Sequence, residues 1–233
     1  MKKTFSLKTA VLVFANSPEE EMRQKPLHNA TNLFADLTRR VLQTVSKSGF
    51  TYFHIDESMQ RGGDFGERFT NAIRDIFDAG YEYLITVGND SPGLKTEHIL
   101  KAATQLHRGK FVLGPSTDGG FYLMGLQKAR FYPVEFRELP WQTSGLRATL
   151  ITLMAKRGVR VSCLSILMDI DTLADIEVLV KYNYNVPISI LNYLWSISAS
   201  ESPVMDQNAS WCTSDIIFPF YNKGSPNRYA VTI

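Results

Sequence analysis

Between residues 10 and 180 the hydrophobic pattern switches repeatedly between short continuous apolar runs and apolar stripes of helical spacing. Residues 10–16, 51–56, 83–87, 111–115, 121–126 and 159–167 read as strands. The stripes between them fall where helices belong: Leu33, Phe34, Leu37, Val41 and Val45 before Gly49, then Phe65, Phe69, Ile73, Ile76 and Phe77 before Gly80. Ile99, Leu100, Ala103 and Leu106 precede Gly109; Leu146, Leu150, Leu153 and Met154 precede Gly158. Thr172 opens a last helix carrying Ile176, Leu179 and Val180, with Asp175 as its capping partner. A chain that alternates these two periods buries both faces of a sheet under helices, which is the α/β class.

The 233 residues suffice for a full core without disulfides, and 44 % hydrophobic with 21 % charged residues is an ordinary globular composition. A net charge of +2 with interspersed signs offers no basic stripe, which argues against a nucleic-acid partner. Cys163 and Cys212 lack zinc or redox spacing, and Cys163, in an apolar segment, reads as a reduced core residue. Lys8 interrupts the apolar start, so residues 10–16 are a core strand rather than a signal peptide. No run approaches the about 18 to 20 apolar residues of a membrane span, and a cytoplasmic location is the expectation.

The candidate chemistry lies where apolar runs end. Asp90 follows the run 84–87 between Gly88 and Pro92, a place where α/β sheets bind ligands and where a carboxylate can hold a divalent cation against a diphosphate. It can equally cap a turn. Gln60, Gly62, Gly63, Asp64, Gly66 and Arg68 join a strand to a helix, so the glycines let backbone approach a ligand; a flexible turn has the same composition. Asp118, with Gly119, Gly120 and Phe121, is either a base or acceptor-holding group, or ordinary hairpin chemistry. Asp169 and Asp171 point to one side of an extended backbone, suited to a metal; helix capping accounts for one of them at most.

In order, Gln60-x-Gly-x-Asp-Phe-Gly-x-Arg68, Gly88-Asn-Asp-Ser-Pro-Gly-Leu94, the segment 114–125 with its Asp-Gly-Gly-Phe-Tyr, Trp141-Gln-Thr143 and Asp169-Ile-Asp-Thr172 resemble the GT-A-type glycosyltransferase-like family of radical-SAM/selenodomain-associated transferases. That family is similar in turn to molybdenum-cofactor guanylyltransferases and sugar-1-phosphate nucleotidyltransferases. The resemblance spans residues 10–182. It implies a three-layer α/β/α nucleotide-diphospho-sugar transferase fold, Rossmann-like, with a mainly parallel central sheet. It also implies a nucleotide across the first strand's loop, at Ala15 and Asn16, with Gln60 and the 62–66 turn near the base. Asp90, Asp171 and Asp169 would hold Mg²⁺ or Mn²⁺, while Asp118 to Phe121, Trp141 and Thr143 would face the sugar or acceptor. The chain departs from the family's Gly-x-x-Lys-Thr-Arg-Leu stretch, reading Ser17 to Leu27 instead. There Arg23 and Lys25 remain to meet phosphate, and Glu19, Glu20 and Glu21 oppose it unless turned away or bridged by metal.

The expected activity is therefore metal-dependent glycosyl transfer from a nucleotide-diphospho-sugar to a small-molecule acceptor, with Asp90 and Asp118 as the catalytic carboxylates. Nucleotidyl transfer to a phosphorylated acceptor and a non-catalytic nucleotide-binding scaffold are the alternatives. A phosphatase of the Asp-x-Asp type is a weak rival, because Leu173 stands at the fifth position of the motif. Residues 1–200 are expected to form the domain, and 201–233 an irregular extension whose aromatics suit a homodimer surface.

Overall fold

The computed structural model describes residues 8–182 and 186–200; the expected extension at 201–233 lies outside them. Its strands are β1 (Thr9–Phe14), β2 (Thr51–Ile55), β3 (Tyr83–Val87), β4 (Phe111–Pro115), β5 (Phe121–Gln127) and β6 (Val161–Cys163). The helices are α1 (Pro18–Gln24), α2 (Thr31–Ser46), α3 (Phe65–Asp78), α4 (Thr96–His107), α5 (Pro133–Arg137), α6 (Leu146–Lys156), α7 (Leu173–Tyr182) and α8 (Ile188–Ser200).

The sheet runs β2-β1-β3-β5-β4-β6. β1 is parallel to β2 and β3, and β4 is parallel to β6, whereas β5 is antiparallel to both its neighbours. The exception has a simple cause. The turn between Pro115 and Phe121 is too short for a crossover, so the chain folds straight back and β5 enters the sheet between β3 and β4.

Alternation along the strands then divides the core. Ala10, Leu12, Leu84, Leu113 and Met124 face α3, α5 and α6 through Phe69, Ile73, Phe77, Phe136 and Leu150. Val11, Val13, Ile85, Val87, Val112 and Leu123 face α2 and α4 through Val41, Val45, Ile99 and Leu106. The result is a mostly parallel sheet between helical layers. A third cluster fastens α7 and α8 to α2, with Ile176, Leu179, Ile190 and Tyr193 against Leu33, Phe34 and Leu37.

Several expectations change. Leu100 is 44 % exposed; the stripe of α4 is Ile99, Ala102, Ala103 and Leu106, one helical step away. Val180 is likewise outside the buried face of α7. Cys163 is exposed rather than core, because β6 is a short edge strand. The strand expected over 159–167 shrinks to β6, and the backbone rejoins the sheet only at the Ser116–Leu167 bridge. α1, α5 and α8 are additions to the sequence reading. Among the described residues, no helix is long and apolar enough to cross a membrane.

Candidate functional site

A cleft of ≈ 530 Å³ opens at the carboxyl ends of β1 and β3, within the size range of small-ligand sites. Asp90, three residues beyond the end of β3, lies on it. The loop before α7 is tied there by the N–H of Ile170, which donates to Asp90 O at 2.9 Å. With the Leu167 N–H donating to Pro115 O at 3.1 Å, this bond holds Asp169 and Asp171 in the same cleft as Asp90. Neither aspartate caps the helix. Thr172 and Asp175 cap it reciprocally, through Thr172 N to Asp175 Oδ2 at 2.8 Å and Asp175 N to Thr172 Oγ1 at 3.3 Å.

The carboxylates expected to hold a cation do hold one, the ammonium of Lys25. Its Nζ lies 3.0 Å from Asp171 Oδ1, 3.2 Å from Asp90 Oδ2 and 3.5 Å from Glu21 Oε2, and it donates to Ile170 O at 3.0 Å. Burial works against the charge on Lys25. The carboxylates of Asp90, Glu21 and Asp171 outweigh it and raise the group far above the usual lysine range. Burial also raises Glu21, with Lys25 opposing. Asp169 is pushed up to about 7 by burial and by the charge of Asp90, although its Oδ1 accepts from Ser91 Oγ.

Mg²⁺ or Mn²⁺ does not fit between Asp90 and Asp171 as they stand. An ion bound at about 2.1 Å to both oxygens would press against the ammonium they already share. Among the described residues, no group of three or more His, Cys, Asp or Glu side chains is arranged to hold a metal.

The remaining expected residues divide into two sets. Ala15, Asn16, Lys25, Gln60 and Arg68 line the cleft, as do Asp118, Gly120, Phe121, Trp141 and Thr143. Arg68 Nε donates to Gln60 Oε1 at 3.1 Å, which fixes the amide, while Gln60 Nε2 is buried without a hydrogen-bond partner among the described residues. Asp118 Oδ1 accepts from Ser116 Oγ at 2.6 Å and Gly120 N at 2.9 Å. Trp141 packs on Phe65 and Phe69 at 5.4 and 5.1 Å between centroids, and on Phe121 at 6.1 Å.

Arg23, Gly62, Gly63, Asp64, Gly66 and Gly119 are not brought to the cleft lining. Arg23 extends outward to Glu20 at 3.0 Å. Asp64 is the N-cap of α3, accepting from Glu67 N at 2.7 Å, and Gly63 N donates to Glu67 Oε2 at 2.9 Å. A Cβ on Gly62, at φ +145, would meet Glu67 and the backbone of Arg68. Gly66 admits Trp141 and Arg137 O against α3, and Gly119, at φ +98, admits the backbone of Ser144. These residues shape the junction by capping and packing.

Glu21 was not foreseen as part of the site. Ser17 followed by Pro18 is a helix-start signal, and it places Glu21 and Lys25 one turn apart. The helix also disposes of the glutamate run: Glu19 is exposed, Glu20 pairs with Arg23, and Glu21 pairs with Lys25. Gln142 was missed as well. It lines the cleft at φ +58, a left-handed conformation that costs a non-glycine residue about 1–2 kcal/mol.

Residues 29–143 match a family described as an uncharacterized protein conserved in bacteria (DUF2064). No curated protein matches the chain. Among solved structures, the fold resembles that of a protein from Desulfovibrio desulfuricans G20, itself only provisionally assigned as a nucleotide-diphospho-sugar transferase. The TM-score is 0.72 at 24 % identity, covering 82 % of this chain and 96 % of that one. It also resembles 4-diphosphocytidyl-2C-methyl-D-erythritol synthase from Anaerococcus prevotii DSM 20548, with a TM-score of 0.51 at 13 % identity, over 76 % of this chain and 98 % of that one. At these identities the likeness establishes the fold: this is a chain of the nucleotide-diphospho-sugar transferase architecture.

Proposed function

We propose that the cleft binds the nucleoside diphosphate part of an activated sugar and that the protein transfers the sugar to a small-molecule acceptor. The observation that carries this reading is that one cleft is lined by both charged and aromatic side chains. Lys25, Asp90 and Asp118 are among the first, and Phe121 and Trp141 among the second. Arg68 is a cation of the lining that can meet the diphosphate, and Lys25 can do so only on leaving Asp90 and Asp171. The buried Nε2 of Gln60 is a donor that an acceptor atom of the ligand would satisfy. The sugar would lie against Phe121 and Trp141, whose rings supply apolar faces.

Asp118 is fixed through Oδ1, which leaves Oδ2 to accept a proton from the acceptor hydroxyl. In that step the acceptor oxygen bonds to the anomeric carbon and the bond from that carbon to the phosphate oxygen breaks. The nucleoside diphosphate departs with the electron pair, and the proton passes to Asp118. Incubation with nucleotide sugars and nucleoside triphosphates, with and without Mg²⁺ or Mn²⁺, tests the reading. Acceptor-dependent release of nucleoside diphosphate is expected. Release of pyrophosphate from a triphosphate would replace it with nucleotidyl transfer, and absence of any nucleotide binding would leave a scaffold.

A further inference from the structure

The cation seat at the end of β3 is fully used by a side chain of the protein itself. A lysine ammonium has three protons to donate, and Asp171 Oδ1, Asp90 Oδ2 and Ile170 O lie 3.0, 3.2 and 3.0 Å from Nζ. Glu21, itself buried, adds a further negative charge at 3.5 Å. The Lys25 side chain is 13 % exposed, against 32 % for Asp90 and 46 % for Asp171. Solvent and ligands thus reach the two carboxylates more readily than the ammonium between them.

We propose that Lys25 is a tethered counter-ion that competes with divalent metal for Asp90 and Asp171, the two cations being alternative occupants of one seat. Two like charges cannot share the same pair of oxygens at bonding distance without strong repulsion. A metal ion therefore enters only when the ammonium swings away. Lysine suits this role because its charge sits at the end of a flexible four-carbon stem. An anionic ligand in the cleft would favour the change by offering Nζ another partner.

Titration of the full chain with Mn²⁺ alone, following free Mn²⁺ by electron paramagnetic resonance, tests the competition without any donor. Failure of the transferase reading would leave its outcome unaffected. Lys25→Met keeps the stem and removes the charge. The double variant Lys25→Met with Glu21→Gln does so without leaving a buried carboxylate uncompensated, and so guards against loss of folding, which circular dichroism checks. Both are expected to bind one Mn²⁺ about tenfold or more tighter than wild type. Adding Asp171→Asn to the double variant should abolish the gain. Equal Mn²⁺ affinity in wild type and both variants would overturn the proposal, as would a gain that survives Asp171→Asn.

Discussion

Gly66→Ala sets local propensity against tertiary packing, and the two predict opposite signs. Gly66 lies in the first turn of α3, where alanine in place of glycine favours the helix by up to about 1 kcal/mol. A Cβ there, however, falls 2.5 Å from the carbonyl oxygen of Arg137 and 2.7 Å from Cδ1 of Trp141. Neither neighbour yields easily. The first is backbone at the end of α5, and Trp141 is pinned by its Nε1–H donating to Phe136 O at 2.7 Å and by the rings of Phe65 and Phe69. Overpacking of this kind costs about 1–3 kcal/mol, so packing outweighs propensity by up to about 2 kcal/mol. In a domain of this size, that lowers the thermal midpoint by up to about 8 °C. Thermal unfolding followed by far-ultraviolet circular dichroism measures it. A midpoint equal to or above that of wild type would refute the packing argument and return Gly66 to the role of a glycine that lets ligand approach.

Asp64→Ala removes the acceptor of the Glu67 N–H and should cost about 0.5–2 kcal/mol in denaturant unfolding; nucleotide affinity that falls along with stability would contradict a purely capping role. Asp118→Asn should lower kcat by about 10²–10⁴ with little change in the donor's KM, and steady-state kinetics showing the reverse split would exclude it as the base. Burial, with Lys95 beside it, holds His98 below its usual 6.5, so the folded protein resists a proton that the unfolded chain accepts. The contribution of His98 to stability is therefore fully present above pH 6.5 and is lost as pH falls toward the folded-state value. Protonation would also remove Nδ1 as the acceptor of the Lys95 N–H. Denaturation midpoints measured against pH should show His98→Gln flattening part of this slope, and superimposable profiles would refute the assignment.

The acidic corner was legible because its parts are local. Asp90, Asp118 and the pair Asp169 and Asp171 each follow an apolar run, and strands in one sheet present such ends together. The glycine-rich junction at 60–68 was legible as a junction but not in its purpose. A glycine that admits a ligand and one that admits Trp141 have the same letter, and only the neighbour 2.7 Å away distinguishes them. Leu100 shows the limit of periodicity: an apolar residue one position off a stripe counts toward the pattern yet points to solvent.

Alternating hydrophobic periods, a property of neighbouring residues, were enough to determine an α/β sheet with acids at its carboxyl edge. Tertiary structure alone decided the antiparallel insertion of β5 and the occupant of the cation seat. Lys25 meets Asp90 and Asp171, 65 and 146 residues further along the chain, and the bond from Ile170 to Asp90 that holds those two segments together is encoded by no local pattern. Charge attraction acts on distance in space, and the order of residues along the chain leaves that distance unspecified until the sheet has closed.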